Sequence, residues 1–160
     1  MEIKKVRILI VDDNDHNLEL VKRVLKDEGY DLLFADNGSK ALEILNAIKI
    51  DLILLDVMMP GIDGFETCRI IKANINIKNI PIIFLTARTE LNDIVAGFNL
   101  GGVDYISKPF SKEELTARVR NHIQLKLMRD YLEGEVECAR ESRNEFMRLM
   151  LSFGKTLEEA

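Results

Sequence analysis

The fold is decided by the stretch LILLDVMMPGIDG at residues 52–64. It opens with four consecutive apolar residues, and a single carboxylate, Asp56, ends that run before a turn that contains proline and glycine. A short apolar run without polar alternation is typical of a strand that is buried on both faces of a parallel sheet. We therefore predict a central strand that carries Asp56 at its carboxyl end.

Further apolar runs of the same kind lie on both sides of this stretch. Together with Asp51–Leu55, the predicted strands are Val6–Val11, Asp31–Ala35, Pro81–Leu85 and Val103–Ile106. Segments with helical spacing of their apolar residues separate the runs. Strands that alternate with helices predict an α/β fold, with a five-stranded, parallel, doubly wound sheet covered by helices on both faces.

The composition is that of a globular protein. The 160 residues are 47% hydrophobic and 31% charged, and the formal net charge is −5. This acidic balance argues against a nucleic-acid-binding surface over the whole chain, because phosphate backbones require clustered Lys and Arg. No apolar run approaches the roughly 20 residues of a membrane-spanning helix. Cys68 and Cys138 lie far apart in helical patterns, so we predict a reduced, cytoplasmic protein that does not associate with membranes.

Polar side chains follow the predicted strands at the carboxyl ends, which is where open parallel sheets bind their ligands. They are Asp12 and Asp13 after the first strand, Asp56 after the third, Thr86 after the fourth and Lys108 after the fifth. Three carboxylates held close together require a cation, and an all-oxygen cluster suits Mg²⁺. An aspartate beside a bound cation can attack phosphorus. The sequence therefore predicts that this rim accepts a phosphoryl group.

Taken one at a time, these residues have ordinary structural interpretations. Asp12 or Asp13 could be a helix N-cap, and Lys108 could be a solvated surface charge. Their joint occurrence at four strand ends, in the correct order, favours the functional interpretation. His16 and His122 fit exposed helix positions, and we assign them no chemistry.

The same residues resemble the receiver domain of two-component response regulators. The motifs that carry the resemblance are ILIVDDN at 8–14, LILLDVMMPGIDG at 52–64, PIIFLTA at 81–87 and GGVDYISKPF at 101–110. The resemblance implies a flavodoxin-like receiver domain over residues 1–122. It also implies that Asp56 is the phospho-acceptor for a sensor histidine kinase. The implied ligands of Mg²⁺ or Mn²⁺ are Asp12, Asp13, Asp56 and the backbone carbonyl of Met58.

The resemblance further implies a conformational switch. Thr86 and Tyr105 would act as a coupled pair, with Tyr105 turning inward once Thr86 moves toward the phosphoryl group. Lys108 would be the lysine of the family's site, joined to Pro109 by a cis peptide bond. Arg88 would be a variable position beside the acceptor that tunes the lifetime of the phosphorylated state.

A second region begins after the fifth predicted helix, where the helical pattern continues without proline. Apolar residues occupy eight of ten positions at heptad spacing there, and we call these ten positions the seam. Its d positions are Leu125, Leu132, Ala139, Phe146 and Phe153, and its a positions are Arg129, Val136, Arg143, Met150 and Leu157. This pattern is typical of a two-stranded coiled coil.

We therefore predict that residues 123–160 form a parallel, homodimeric helical extension about 50 Å long. It is expected to link the receiver to an output domain beyond Ala160. The alternative is an amphipathic helix that folds back on its own receiver.

A signalling receiver would have no enzymatic activity other than weak dephosphorylation of itself. Two other functions are alternatives to it. Haloacid-dehalogenase-type phosphatases, which use an aspartyl nucleophile, carry a second acid two residues after it to protonate the leaving group, whereas Met58 stands at that place here. A receiver-like dimerisation scaffold would not be phosphorylated, and the complete acidic pocket argues against it.

Overall fold

Strands and helices alternate along the chain in the computed structural model, which describes residues 4–87 and 91–158, with side chains up to residue 154. The strands are β1 (Arg7–Val11), β2 (Asp31–Ala35), β3 (Leu52–Asp56), β4 (Ile82–Thr86) and β5 (Asp104–Ser107). The helices are α1 (Asp15–Leu25), extended by a 3₁₀ turn (Lys26–Glu28), α2 (Gly38–Ala47), α3 (Gly64–Ala73), α4 (Leu91–Asn99) and α5 (Lys112–Glu158). The five predicted strands are confirmed, each to within one residue of its observed bounds.

The sheet is parallel throughout, with the strand order β2-β1-β3-β4-β5. The order reverses between β1 and β3, which is where ligands bind in open sheets of this kind. The register pairs Val11 with Leu55. The residues that follow this pair, Asp12 and Asp56, therefore emerge side by side at the carboxyl edge.

Two hydrophobic clusters cover the two faces of the sheet. One joins alternate sheet residues such as Leu9 and Ile53 to side chains of α2 and α3. The other joins residues such as Ile8 and Leu54 to side chains of α1 and of the first turns of α5. The apolar residues of β3 are fully buried from both sides, which explains the uninterrupted LILL run that predicted this strand.

Helix starts are fixed by short polar side chains. Asn14 caps α1, where its Oδ1 accepts from the backbone N–H groups of His16 at 2.9 Å and Asn17 at 3.2 Å. Asp12 and Asp13 are therefore not the N-cap of this helix. Ser111 accepts from the N–H of Glu114 at 3.1 Å and caps α5.

Two glycines shape the loop that follows β3. Gly61 has a φ of +78°, a left-handed conformation that favours glycine. At Gly64, a Cβ atom would lie 2.2 Å from the backbone oxygen of Asp56. The absence of a side chain there allows α3 to begin directly against the end of β3.

The chain divides into two compact units, of which the first ends at Ile123 and the second begins at Gln124. The second unit is the continuation of α5 to Glu158. Every seam residue from Leu125 to Phe153 is exposed in it, and the side chain of Leu157 lies outside the described residues. No helix in the described ranges is long and apolar enough to cross a membrane.

The two cysteines should differ sharply in reactivity toward a thiol reagent such as dithionitrobenzoate. Cys68 is buried, which raises the pKa of its thiol from 9.0 to about 11, while Cys138 is exposed. Two pKa units reduce the thiolate fraction of Cys68 about 100-fold below that of an ordinary thiol, and burial also blocks access. We expect one fast thiol per native chain, which the variant Cys138→Ser removes. Two equally fast thiols would contradict the buried placement of Cys68.

Candidate functional site

Three carboxylates meet at the carboxyl edge of the sheet. Asp12 and Asp13 follow β1, Asp56 ends β3, and one oxygen from each side chain lies within 4.8 Å of the others. Asp12 is 1% exposed and Asp56 5% exposed, while Asp13 lies on the exposed side of the group. Residues that are 44 positions apart in the sequence are thus brought together by the pairing of β1 with β3.

Lys108 places its ammonium group among these carboxylates. Its Nζ lies 2.7 Å from Oδ2 of Asp12 and 3.5 Å from Oδ1 of Asp56. Its backbone N–H donates to the carbonyl oxygen of Thr86 at 2.9 Å, which holds the end of β5 against the end of β4. The peptide bond to Pro109 is cis, as expected. Lys108 is thus closer to Asp12 than to Asp56, the predicted phospho-acceptor.

Asp12 is also held by the start of α1, a feature that the sequence interpretation missed. Its Oδ1 accepts from the backbone N–H of Asn14 at 3.0 Å and from Nδ2 of Asn17 at 3.4 Å. Both oxygens of Asp12 are therefore engaged, one by α1 and the other by Lys108. The preference for asparagine at helix N-caps could have identified Asn14 from the sequence.

The electrostatics of Asp56 oppose its ionisation. Burial raises the pKa of this carboxyl above its ordinary value, and the charge of Asp12 raises it further. Lys108 and the backbone N–H of Met58, which donates to Oδ1 at 3.3 Å, lower the pKa but do not compensate fully. The rim therefore holds more negative charge than Lys108 alone can neutralise.

The donor set fits a small divalent cation. It consists of oxygen atoms only, which suits a hard ion such as Mg²⁺ or Mn²⁺. Opposite ligands of Mg²⁺ are separated by roughly 4 Å, twice the metal–oxygen distance, so carboxylates within 4.8 Å of one another need only small side-chain adjustments to share one ion. Asp12, Asp13 and Asp56 could hold the ion, and the role of the Met58 carbonyl stays a prediction.

Thr86 and Tyr105 lie on the same face of the sheet. Tyr105 pairs in register with Phe84, and Thr86 follows Phe84 by two residues. Thr86 is buried, and Tyr105 is half-buried with its ring edge-on to that of Phe98, at a centroid distance of 6.3 Å. The two predicted switch residues thus lie close together on neighbouring strands. Arg88 lies outside the described residues.

A second polar cluster beside Tyr105 was not foreseen. Arg118 Nη1 lies 2.9 Å from both oxygens of Asp104, and His122 Nε2 lies 3.0 Å from Oδ2. Burial alone would raise the pKa of Asp104, but hydrogen bonds from His122, Arg118 and the N–H of Tyr105 together lower it. This cluster joins β5 to α5. The side chain of His122 is only 13% exposed within it, so the predicted exposed position was wrong for this histidine.

Comparison with known proteins identifies the class that this fold and rim define. The family model of the response regulator receiver domain matches residues 8–120. The chain therefore belongs to the receiver domain family of two-component response regulators.

Individual relatives agree with this membership. The chain is 40% identical over 124 residues to the DNA-binding response regulator MtrA of Mycolicibacterium smegmatis, covering 78% of this chain and 53% of MtrA. It is 45% identical over 123 residues to the transcriptional regulatory protein YvrH of Bacillus subtilis, covering 76% of this chain and 51% of YvrH. The chain thus spans about half the length of these relatives. The crystal structure of the chemotaxis protein CheY4 of Vibrio cholerae superposes with a TM-score of 0.70 at 30% identity, covering 74% of this chain and 98% of CheY4.

Proposed function

We propose that this chain receives a phosphoryl group on Asp56 from a sensor histidine kinase and passes the signal on through its C-terminal helix. The observation that carries the proposal is the rim itself. A buried carboxylate, Asp56, lies within 4.8 Å of two further carboxylates and 3.5 Å from the ammonium group of Lys108. Membership in the receiver family supports the same function.

The transfer needs a nucleophile and positive charge around phosphorus. One carboxylate oxygen of Asp56 attacks the phosphorus of the phosphohistidine, the P–N bond breaks, and the imidazole leaves with the electron pair and takes up a proton. A Mg²⁺ ion held by Asp12, Asp13, Asp56 and the backbone carbonyl of Met58 would neutralise charge on the phosphoryl oxygens. The product is an acyl phosphate, which water later hydrolyses slowly.

Lys108 and Asp12 prepare the rim for this step. The Lys108 ammonium lies near both Asp12 and Asp56, so a short movement of its flexible side chain would bring it to a phosphoryl oxygen. The contacts of Asn14 and Asn17 hold the Asp12 carboxylate in place while Lys108 moves. These residues position charge, and Asp56 alone forms and breaks covalent bonds.

The signal would leave the site through the neighbouring strands. Thr86 ends β4 beside the rim and could donate its hydroxyl to the phosphoryl group. Its movement would alter the space around Tyr105 on the same face of the sheet. Phosphorylation would thereby bias an existing equilibrium between two arrangements of α4 and β5.

The second unit supplies an interaction surface for the output. Its exposed seam, Leu125 to Phe153, fits a parallel homodimer with a second copy of the chain. We propose that residues 123–160 form a coiled-coil linker to an output domain. The name of MtrA states that it binds DNA, but the match to this chain covers only 53% of MtrA. We therefore do not assign DNA binding to these residues.

Phosphorylation by acetyl phosphate tests the proposal without the unknown kinase. With Mg²⁺ present, the intact mass of the wild-type chain should increase by one phosphoryl group. The variant Asp56→Asn should show no increase, because an amide is a poor nucleophile toward phosphorus. Removal of Mg²⁺ with a chelator should abolish labelling of the wild type.

Asp63→Asn is a matched control, because Asp63 is the N-cap of α3 and asparagine also caps helices. This variant should be labelled as fast as the wild type. Labelling of Asp56→Asn at the wild-type rate would contradict the assignment of the acceptor. A wild-type chain that neither binds Mg²⁺ nor becomes labelled would favour the dimerisation scaffold.

A further inference from the structure

A narrow cavity lies between α4 and the sheet, on the face that carries Thr86 and Tyr105. Its aromatic walls are Phe65, Phe84, Phe98 and Tyr105, and Thr86 and Gly97 also line it. The centres of water-sized spheres can occupy about 10 Å³ of it, which corresponds to room for about one water molecule. The cavity is therefore too small to admit a phenol ring unless one of its walls moves.

Thr86 is the wall that the proposed function would move. It is buried at the end of β4, and its hydroxyl would leave the cavity when it donates to a phosphoryl group on Asp56. The space so released adjoins the Tyr105 ring. The cavity, which Thr86 and Tyr105 both line, would then enlarge.

Gly97 sets the size of this space from the opposite side. A Cβ atom built on Gly97 would lie 3.1 Å from Cε2 of Phe84 and 3.4 Å from Cε1 of Phe65. These contacts are tight, but small shifts of the two rings would relieve them. At Gly102 the corresponding distance to Phe84 is 2.5 Å, which demands a larger rearrangement. A methyl group at position 97 would thus narrow the cavity and leave the fold intact.

Phe98, which also lines the cavity, contacts the Tyr105 ring. It is 45% exposed, and its ring meets that of Tyr105 edge-on, with an interplanar angle of 81°. Such aromatic pairs are favourable beyond the area that they bury. The contact stabilises the present orientation of Tyr105 at the edge of the cavity.

We propose that Gly97 and Phe98 are positioning residues of the switch, which act on Tyr105 in opposite directions. The missing side chain at Gly97 leaves the space into which the Tyr105 ring turns, while the Phe98 ring retains it in the resting orientation. This inference rests on the proposed phosphorylation of Asp56. It adds two residues of α4 that set how completely phosphorylation is converted into movement.

NMR of the chain with carbon-13-labelled tyrosine rings measures the change in the environment of the Tyr105 ring directly. The chain has three tyrosines, Tyr30, Tyr105 and Tyr131, so the NMR spectrum should contain three sets of ring signals, and Tyr105→Phe assigns one of them. Spectra are recorded with and without the phosphate mimic beryllofluoride in the presence of Mg²⁺, and a rise in the thermal unfolding midpoint reports binding of the mimic.

In the wild type, the mimic should raise the midpoint and shift the Tyr105 signal. Gly97→Ala should keep the rise in midpoint and lose most of the shift. Phe98→Ala should move the resting signal part of the way toward its shifted position, because loss of the aromatic pair increases the inward population roughly two- to tenfold. Gly134→Ala is the matched control, since a Cβ there meets nothing within 4 Å.

The outcomes separate the two proposals. If the mimic does not bind the wild-type chain, the proposed function fails, and this inference fails with it. If the mimic binds and Tyr105 shifts equally in the wild type and in Gly97→Ala, the role of Gly97 is wrong while the proposed function stands. An unchanged resting signal in Phe98→Ala overturns the role of Phe98, even if Gly97→Ala does not fold.

Discussion

Replacing Lys108 with methionine is expected to destabilise the folded chain by roughly 3 kcal/mol at neutral pH without divalent cations, because breaking a buried ion pair leaves uncompensated charge. The side chain of Lys108 is 18% exposed, and those of its partners Asp12 and Asp56 are 2% and 7% exposed. Methionine keeps most of the unbranched side chain and removes the ammonium group, with its charge and its hydrogen bond to Asp12. Urea denaturation of the two proteins measures the difference in the free energy of unfolding.

The pH dependence of this difference has a definite sign. Burial raises the pKa of Asp56 and Lys108 lowers it, so the variant should have a still higher pKa. An aspartate with a raised pKa in the folded state disfavours folding when it is ionised, and this cost disappears as the pH falls through the folded pKa. The stability difference between Lys108→Met and the wild type should therefore narrow toward acid pH. Added Mg²⁺ should narrow it at neutral pH.

A double-mutant cycle and a surface control complete this test. Lys108→Met should cost less in an Asp56→Asn background, because one of the two unpaired carboxylates is then absent. Lys40→Met removes an exposed i,i+4 pair with Asp36 at 3.3 Å and should change stability by less than about 1 kcal/mol. Equal effects of the two lysine substitutions would show that Lys108 does not neutralise the rim.

The strands and the rim were predictable because their signals are local. Each strand is a contiguous apolar run, and a parallel sheet brings the residues after such runs to one edge. Asp12, Asp13, Asp56 and Lys108 could therefore be placed together without knowledge of the strand order. The order β2-β1-β3-β4-β5 then explains why the carboxylates come from β1 and β3.

The polar contacts around the rim were not predictable, because they depend on how side chains meet in three dimensions. Lys108 could have faced either Asp12 or Asp56, and only the structure shows the closer contact with Asp12. The Asp104–Arg118–His122 cluster joins residues 14 and 18 positions apart on a strand and a helix, with no motif to mark it. The position of a histidine in the sequence does not show which side chain its ring nitrogen will contact.

The heptad pattern in the sequence showed the seam of the second unit. The partner that buries this seam, a second copy of the chain, is still a prediction. Leu125, Leu132 and Val136 are all more than half exposed within a single chain. Helical periodicity fixes which residues share a face, but a monomer cannot show the surface that meets it. Measuring the oligomeric state in solution would show whether a second copy of the chain covers the seam.

Leu132→Asp should weaken self-association of the chain on the order of 100-fold or more. In a parallel homodimer, the two copies of this d-position leucine face each other, so the substitution removes two buried side chains and inserts two like charges. Leu151→Asp is the matched control, because Leu151 lies at a b position outside the seam and is 66% exposed. Sedimentation equilibrium of the three proteins measures the dimer dissociation constants.

Disulfide cross-linking then establishes the orientation of the helices. In a parallel, in-register pair, identical d positions approach closely enough for a disulfide, which requires a Cα–Cα distance of about 4.4–6.8 Å. Leu132→Cys in a Cys138→Ser background should therefore form a covalent dimer under mild oxidation. The wild-type chain should not, because Cys138 lies at an outward-facing c position. A wild-type chain that stays monomeric at all concentrations, with no cross-link from position 132, would instead support a helix folded back on its own receiver.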